Sequence, residues 1–127
     1  MPTIPMDYLV NKSAREAQSI GRSGADQRVA APTYTFAVIE GPNAGDEFVL
    51  TRLPAKLGRG IDAAIRLDDR NASRQHAEIY EHGGILRIRD LKSTHGTYVN
   101  GFSIDDKSLD PGDKIRIGFS VLHFRVR

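Results

Sequence analysis

The sequence predicts an all-β fold, a sandwich of short strands over residues 33–127, after an N-terminal tail of 32 residues. Short apolar or alternating runs recur about every ten residues, and glycine, proline, asparagine and aspartate separate them, as in antiparallel sandwiches and barrels. No segment after residue 33 has the apolar periodicity of a helix of about ten residues. About 94 residues that hold some ten short strands are typical of two packed sheets.

The first and last predicted strands show the alternation most clearly. In Tyr34–Glu40 every second residue from Tyr34 is aromatic or branched, so one face is apolar. In residues 120–127 every second residue from Leu122 is apolar, and polar residues occupy the places between them. Each strand is therefore expected to bury one face and to expose the other.

Turn signals place the strands between these two. GPNAG at residues 41–45 turns the chain into the second strand, and Asp110-Pro111-Gly112-Asp113 introduces the last but one. His82-Gly83-Gly84 and Asn100-Gly101 each close a hairpin, and Asn-Gly is the strongest short hairpin signal. The intervening strands are predicted at residues 47–50, 55–57, 64–67, 77–81, 85–90, 98–99, 102–104 and 114–117.

Composition excludes several classes of function. Lys and Arg number 18 against 16 Asp and Glu, so the formal charge is only +2, and bulk charge would attract neither nucleic acid nor a membrane. The absence of cysteine excludes disulfides and fits a reducing, cytoplasmic compartment. No apolar run reaches the roughly 18 residues that span a bilayer, and residues 1–10 lack the basic start of a secretory signal. The four histidines show no ligand spacing, so no metal is expected.

Residues 1–32 are predicted to form a flexible tail. Residues 11–32 hold no aromatic side chain and few branched apolar ones, so they could bury little surface against the cost of ordering. The start of the tail is different, because five large apolar side chains lie within residues 4–10. This apolar start could dock elsewhere on the protein. Its members are Ile4, Met6, Tyr8, Leu9 and Val10.

Polar residues that turn chemistry does not explain lie in two of the predicted loops. Glycines flank Arg59, so the backbone can turn tightly and the guanidinium can project toward an anion, although such a loop alone is more often an ordinary turn. A later loop holds Ser73, Arg74 and His76. A Ser–His nucleophile pair is disfavoured there, because no G-x-S-x-G elbow is present and no acid orients the imidazole. A buried histidine that ties the loop by hydrogen bonds is favoured instead.

A third loop carries small polar residues between two strands. Asp90 and Ser93 can bond the backbone of the loop, and Gly96 permits an unusual backbone angle. Thr94 and His95 are then left at the exposed tip. This arrangement predicts a structured loop with two side chains available for contact.

The order and spacing of the polar residues in these three loops identify a protein family far more specifically than any single loop does. The chain resembles the forkhead-associated (FHA) domain in three blocks, Gly58-Arg59, Ser73-x-x-His76 and Asp90-x-x-Ser93-Thr94-x-Gly96-Thr97-x-x-Asn100-Gly101. The resemblance covers residues 34–127. It implies a sandwich of about eleven strands in two sheets, which binds phosphothreonine-containing segments through loops at one end.

The resemblance also implies roles for single residues. Arg59 and Ser73 would contact the phosphate, Thr94 would contribute from the third loop, and Arg74 would touch the phosphate or the adjacent peptide. His95 stands where the family usually has an asparagine that bonds the peptide main chain. A neutral imidazole can also donate and accept, with a different reach, and a charged one would favour the phosphate. The architectural residues would be Gly58, His76, Asp90, Ser93, Gly96, Asn100 and Gly101.

We therefore expect a non-catalytic, cytoplasmic adaptor that needs no cofactor and recruits targets of Ser/Thr kinases. A scaffold that binds its partner independently of phosphate stays open because of His95. Self-binding of a phosphorylated tail also stays open, because Thr3 precedes the apolar Met6 by three residues. An enzyme is disfavoured, since no triad, metal cluster or nucleotide-binding loop can be assembled.

Overall fold

The computed structural model describes residues 32–127, and within this range the chain forms eleven strands in two sheets, which confirms the predicted all-β sandwich. None of the described segments is a helix long and apolar enough to cross a bilayer. The predictions for the tail concern residues that, Pro32 aside, lie outside this range. The strands are β1 (Tyr34–Glu40), β2 (Glu47–Leu50), β3 (Ala55–Gly58), β4 (Ile65–Arg66), β5 (Ala77–His82), β6 (Ile85–Asp90), β7 (Thr97–Val99), β8 (Phe102–Ile104), β9 (Asp106–Ser108), β10 (Lys114–Ile117) and β11 (Ser120–Val126).

One sheet has six strands in the order β2-β1-β11-β10-β7-β8, and the other has five in the order β4-β3-β5-β6-β9. Every neighbouring pair is antiparallel except β3 and β4, which run parallel. The first and last strands pair along most of their length, from Tyr34 opposite Val126 to Val38 opposite Leu122. The two strands that are most distant in sequence therefore lie side by side in the six-stranded sheet.

The core lies between the sheets and follows the predicted alternation. Phe36 and Phe124 face each other in register and stack with ring centroids 4.9 Å apart. Leu122 lies on the same inner face and is fully buried, as are Ile79 and Ile88, which are register partners in the opposite sheet. Burial of each such side chain contributes roughly 1.5–3 kcal/mol.

Strand β9 is the one strand that the sequence does not predict. Its Asp-Lys-Ser sequence has no apolar alternation, and it forms at the edge of the five-stranded sheet by pairing with β6. Asp106 accepts a hydrogen bond from Nε of Arg87 at 2.9 Å and another from the hydroxyl of Tyr80. Main-chain pairing with β6 and polar side-chain contacts to β5 and β6, rather than a buried face, therefore hold this edge strand.

The antiparallel pairing collects several connections at one end of the sandwich. Ala77, the first residue of β5, has the end of β3 on one side and the end of β6 on the other. In the other sheet the start of β7 pairs with the end of β10, which pairs in turn with the start of β11. The loops that carry the unexplained polar residues all leave from this end, which we call the rim.

Leu122→Ala should lower the free energy of unfolding by about 2–5 kcal/mol, because it removes a fully buried side chain from β11 and leaves a cavity. Ile85→Ala is the matched control, since Ile85 is half exposed and its change should stay within about 0.5 kcal/mol. Urea unfolding followed by circular dichroism measures both. Equal losses in the two variants would contradict this assignment of the core.

Candidate functional site

Three connections meet at the rim: the β3–β4 loop (residues 59–64), the β4–β5 loop (residues 67–76) and the β6–β7 loop (residues 91–96). Main-chain hydrogen bonds join the first two, from Arg59 N–H to the Ser73 carbonyl at 3.0 Å and from Gly60 N–H to the Arg74 carbonyl at 3.1 Å. The third loop joins them through Leu91 N–H, which donates to the His76 carbonyl at 2.9 Å. Residues that are distant in sequence thus share one surface.

Gly58 permits the close approach of the first two loops. A Cβ atom at this position would lie 2.2 Å from the carbonyl oxygen of Arg74 and 2.7 Å from that of Ser73. The main chain of the β4–β5 loop therefore crosses directly over this residue, and any side chain there would push the loop away. Glycine at position 58 sets the spacing between the two loops.

Ser73 bonds to both neighbouring loops and to the histidine behind them. Its carbonyl accepts from Arg59 N–H, and its own N–H donates to Nδ1 of His76 at 2.9 Å. Its Oγ accepts from Thr94 N–H at 3.1 Å. Because Oγ acts as acceptor in that bond, its hydroxyl proton remains available for donation.

His76 is fully buried and bridges the β4–β5 and β6–β7 loops. Its Nδ1 accepts from Ser73 N–H, so the ring proton lies on Nε2, which donates to the Gly96 carbonyl at 2.8 Å. Burial lowers the pKa of His76, although the bond to Gly96 and the charge of Asp90 act in the opposite direction. The imidazole is therefore neutral at pH 7 and supports both loops through main-chain groups.

Asp90 organises the β6–β7 loop from its base. Its carboxylate accepts from the hydroxyl of Ser93 at 2.6 Å, from Ser93 N–H at 3.0 Å and from the hydroxyl of Thr97 at 2.7 Å. Ser93 Oγ accepts in turn from the N–H of Gly96, whose φ of +87° lies in the left-handed region. Burial alone would raise the pKa of Asp90, but these hydrogen bonds outweigh it and lower the pKa.

Arg59 and Arg74 supply positive charge to the rim. Nε of Arg59 donates to the Ala72 carbonyl at 2.9 Å, which holds the guanidinium against the β4–β5 loop. Among residues 32–127 the terminal amino groups of Arg59 have no partner, and neither does the side chain of Arg74. With Ile61, Asp62 and their neighbours, the two arginines line an open pocket of about 460 Å³.

Thr94 and His95 lie exposed at the tip of the β6–β7 loop. Because the N–H groups of Arg59 and Thr94 both bond to Ser73, the structure brings the main chains of these three residues together. Asn100, which the family pattern includes, does not join them. It lies in the turn beyond the far end of β7 with a φ of 52°, and its side chain bonds to Asp113 and to Lys114 N–H. With Gly101 it closes the β7–β8 hairpin.

Asp69 supports the β4–β5 loop, and the sequence analysis misses it. Its buried carboxylate accepts from the N–H groups of Asn71 and Phe119 at 2.9 and 2.8 Å and from the hydroxyl of Ser120 at 2.7 Å. Burial alone would raise the pKa of Asp69, but these hydrogen bonds lower it. Two of the partners follow about fifty residues later, so no local pattern signals the role. An indirect sign is Gly118, where a Cβ atom would lie 2.7 Å from the carboxylate.

The rim is suited to bind an oxyanion rather than to perform hydrolysis by a Ser–His pair. Both ring nitrogens of His76 bond to main-chain groups, so the imidazole cannot accept the proton of Ser73. In the described part of the chain no group of three His, Cys, Asp or Glu residues could hold a metal ion. Two guanidinium groups and two hydroxyls supply the hydrogen-bond donors that a tetrahedral anion requires.

Comparisons with known proteins match this region. The family model of the FHA domain matches residues 55–118. The chain is 43% identical over 83 residues to the glycogen accumulation regulator GarA of Mycolicibacterium smegmatis, a match of 65% of this chain and 52% of the relative. It is 38% identical over 110 residues to the oxoglutarate dehydrogenase inhibitor of Corynebacterium diphtheriae, a match of 87% of this chain and 77% of the relative. The chain thus spans about half the length of the first relative.

A solved structure supports the same relationship. It is described as "Structural and functional analysis of phosphothreonine-dependent FHA domain interactions", and it superposes with a TM-score of 0.67 at 35% identity. The superposition covers 75% of this chain and 97% of the other. The sandwich therefore has a counterpart of known structure.

His76 should make stability depend on pH. Its pKa is lowered in the folded protein, whereas an unfolded imidazole titrates near about 6.5, so the unfolded chain takes up the proton first. The free energy of unfolding should therefore fall as the pH drops from about 7.5 to about 5.5. His76→Gln should remove most of this slope, and His82→Gln, at an exposed position, should keep it. Thermal unfolding at several pH values measures the slopes. A wild-type slope in His76→Gln would contradict the prediction.

Proposed function

This chain belongs to the FHA domain family, and from that membership we propose that it is a non-catalytic adaptor that binds phosphothreonine-containing segments of other proteins at its rim. The observation that carries the proposal is the junction at Ser73, which accepts hydrogen bonds from Arg59 N–H and Thr94 N–H at once. This junction joins three loops that carry one cation and two hydroxyl side chains. We propose that these three side chains contact the phosphate.

The chemistry of phosphothreonine complements these groups. At neutral pH the phosphate carries about −1.5 to −2 charges and three acceptor oxygens. The terminal amino groups of Arg59 can meet two of these oxygens, since Nε is already bonded to Ala72. The hydroxyl of Ser73 can donate to another, because its acceptor side is occupied by Thr94 N–H. Hydrogen bonds to charged groups contribute about 1.5–3 kcal/mol each, which suits a micromolar affinity once ordering costs are subtracted.

We propose supporting roles for the residues around this group. Arg74 adds a second cation that reaches the phosphate or the adjacent peptide, and His95 contacts the peptide main chain in place of the asparagine usual in the family. Gly58, His76, Asp90, Ser93 and Gly96 hold the three loops at the distances described above. Asn100 and Gly101 act indirectly, because they stabilise the β7–β8 hairpin, whose first strand follows the third loop.

The proposed partners are proteins phosphorylated by Ser/Thr kinases. One relative is named as a regulator and another as an inhibitor of an enzyme, and both names suit a protein that acts by binding. We propose the same mode of action in the cytoplasm for this chain, with no cofactor. Nucleic acid and membranes are not expected partners, because the 18 basic residues are nearly balanced by 16 acidic ones.

Arg59→Ala should weaken the binding of a phosphothreonine peptide by about 2–5 kcal/mol, because it leaves a phosphate without its guanidinium. The peptide is one selected by screening a phosphothreonine library on the purified protein, and calorimetry measures its affinity. Arg125→Ala, at an exposed position in β11, is the charge-matched control and should bind like the wild type.

Two outcomes would contradict the proposal. Unchanged affinity in a folded Arg59→Ala variant would refute the site. Equal binding of the phosphopeptide and its unphosphorylated twin would refute phosphate recognition and favour a scaffold that binds independently of phosphate.

His95→Ala should weaken the same complex, because it removes a side chain that bonds the peptide. Calorimetry with the peptide selected above measures both affinities at one pH. Equal affinities of the two proteins would show that His95 does not take part.

A further inference from the structure

A second pocket lies on the outer face of the six-stranded sheet, and we call it the sheet-face pocket. Its volume is about 570 Å³, and Ile39, Tyr98 and Val121 form its apolar part. Lys114, Arg116 and Glu40 surround this floor. The sheet-face pocket shares no lining residue with the pocket at the rim between Arg59 and Arg74.

The apolar floor breaks the usual alternation of a half-buried sheet. In β11 the side chains of Leu122 and Phe124 point into the core, so the side chain of Val121 points to the outer face. Polar residues are usual on such a face. Val121 is nevertheless only 6% exposed, and Ile39, also on the outer side, is 45% exposed. Ile39 lies where the β1–β11 register shifts between Val38 and Glu40, and such a bulge redirects a side chain. The outer face thus presents the half-exposed Ile39 beside the half-buried Tyr98, in a pocket large enough to receive other side chains.

The charged residues around the floor leave it net positive. Arg116 lies 3.5 Å from Glu40, but both side chains are about half exposed, so this ion pair contributes little. The amino group of Lys114 has no partner among residues 32–127. An occupant with large apolar side chains and an acidic residue would therefore complement both parts of the sheet-face pocket.

This chain contains such a segment outside the described range. Residues 4–10 read Ile-Pro-Met-Asp-Tyr-Leu-Val, with five large apolar side chains, one acidic residue and no basic one. Residues 11–32, which connect this segment to the sandwich, hold no aromatic side chain. Along the sequence, the large apolar side chains of residues 1–32 are thus concentrated far from the first strand.

The connection has a suitable length. Thr33 exchanges hydrogen bonds with Arg127 at 3.1 and 2.9 Å, so the chain enters the sandwich at the start of β1. From there β1 runs about 20 Å to Ile39 in the floor of the pocket. A connection of 22 residues, 11–32, can reach at most about 75 Å, so its length allows this separation. Because the segment and the pocket belong to one chain, the local concentration of the segment is high and even a weak intrinsic affinity would populate the contact.

We propose that residues 4–10 of this chain bind the sheet-face pocket, with their apolar side chains over Ile39, Tyr98 and Val121 and with Asp7 beside Lys114 or Arg116. The contact needs no phosphate and does not involve the rim. It covers Ile39, which is otherwise 45% exposed, and it occupies a different face of the sandwich from the phosphopeptide site proposed above.

Paramagnetic relaxation in the full chain tests this contact. Because the sequence has no cysteine, Lys12→Cys provides a single site for a nitroxide label next to the segment. The label should broaden the amide signals of Tyr98, Lys114, Arg116 and Val121 in isotope-labelled protein. Leu9→Asp, which places a charge within the segment itself, should abolish this broadening. Ile39→Asp should also abolish it, whereas Ile85→Asp, a similarly exposed isoleucine in β6, is the matched control and should retain it.

Three results would overturn the proposal. Broadening confined to residues 59–62, 73–75 and 92–95 would show that the segment binds the rim instead. No selective broadening would show that it binds nowhere on the sandwich. A third result comes from mixing two samples, one with the spin label and no isotope and one with the isotope and no spin label. If broadening arises only between the molecules of this mixture, the sheet-face pocket is a contact between two copies. The unaffected signals of the core report that each variant remains folded.

Discussion

The geometry of the rim depends on one residue that uses its carbonyl, its N–H and its hydroxyl toward three different partners. Ser73 accepts from Arg59 N–H, donates to the ring of His76 and accepts from Thr94 N–H. Each bond alone contributes only about 1 kcal/mol to stability. Their main effect is on geometry, because together they fix the relative positions of three loops that are separated in sequence by whole strands.

Buried polar groups make these positions rigid. His76 and Asp69 are fully buried and Asp90 is half-buried, so each would be costly if its hydrogen bonds were missing, and each has several. The lowered pKa values of the two aspartates show that hydrogen bonds outweigh their burial, while burial prevails for His76. All three act on the main chain or on hydroxyl groups of neighbouring loops, so the interior of the sandwich determines the shape of its exposed end.

The protein therefore presents two surfaces with different chemistry. The rim displays cations and hydroxyls because loops at the end of a sandwich have no inner face to bury. The outer face of the six-stranded sheet displays an apolar floor, since a bulge at β1 and an outward valine in β11 interrupt the polar alternation. The first surface offers hydrogen-bond donors and the second offers apolar side chains, and their pockets share no lining residue.

The sequence by itself determined the fold class and most of the strands, because alternation and turn residues are local patterns, and it marked three polar loops by the order and spacing of their residues. Strand β9 had no such pattern, since it forms by pairing at an edge rather than by burying a face. The role of Asp69, the tautomer of His76 and the carbonyl groups that lie against Gly58 were decided by the tertiary structure alone. Their partners are brought near only after strands pair across long separations in sequence, and a hydrogen bond of this kind depends on distance in space rather than distance along the chain.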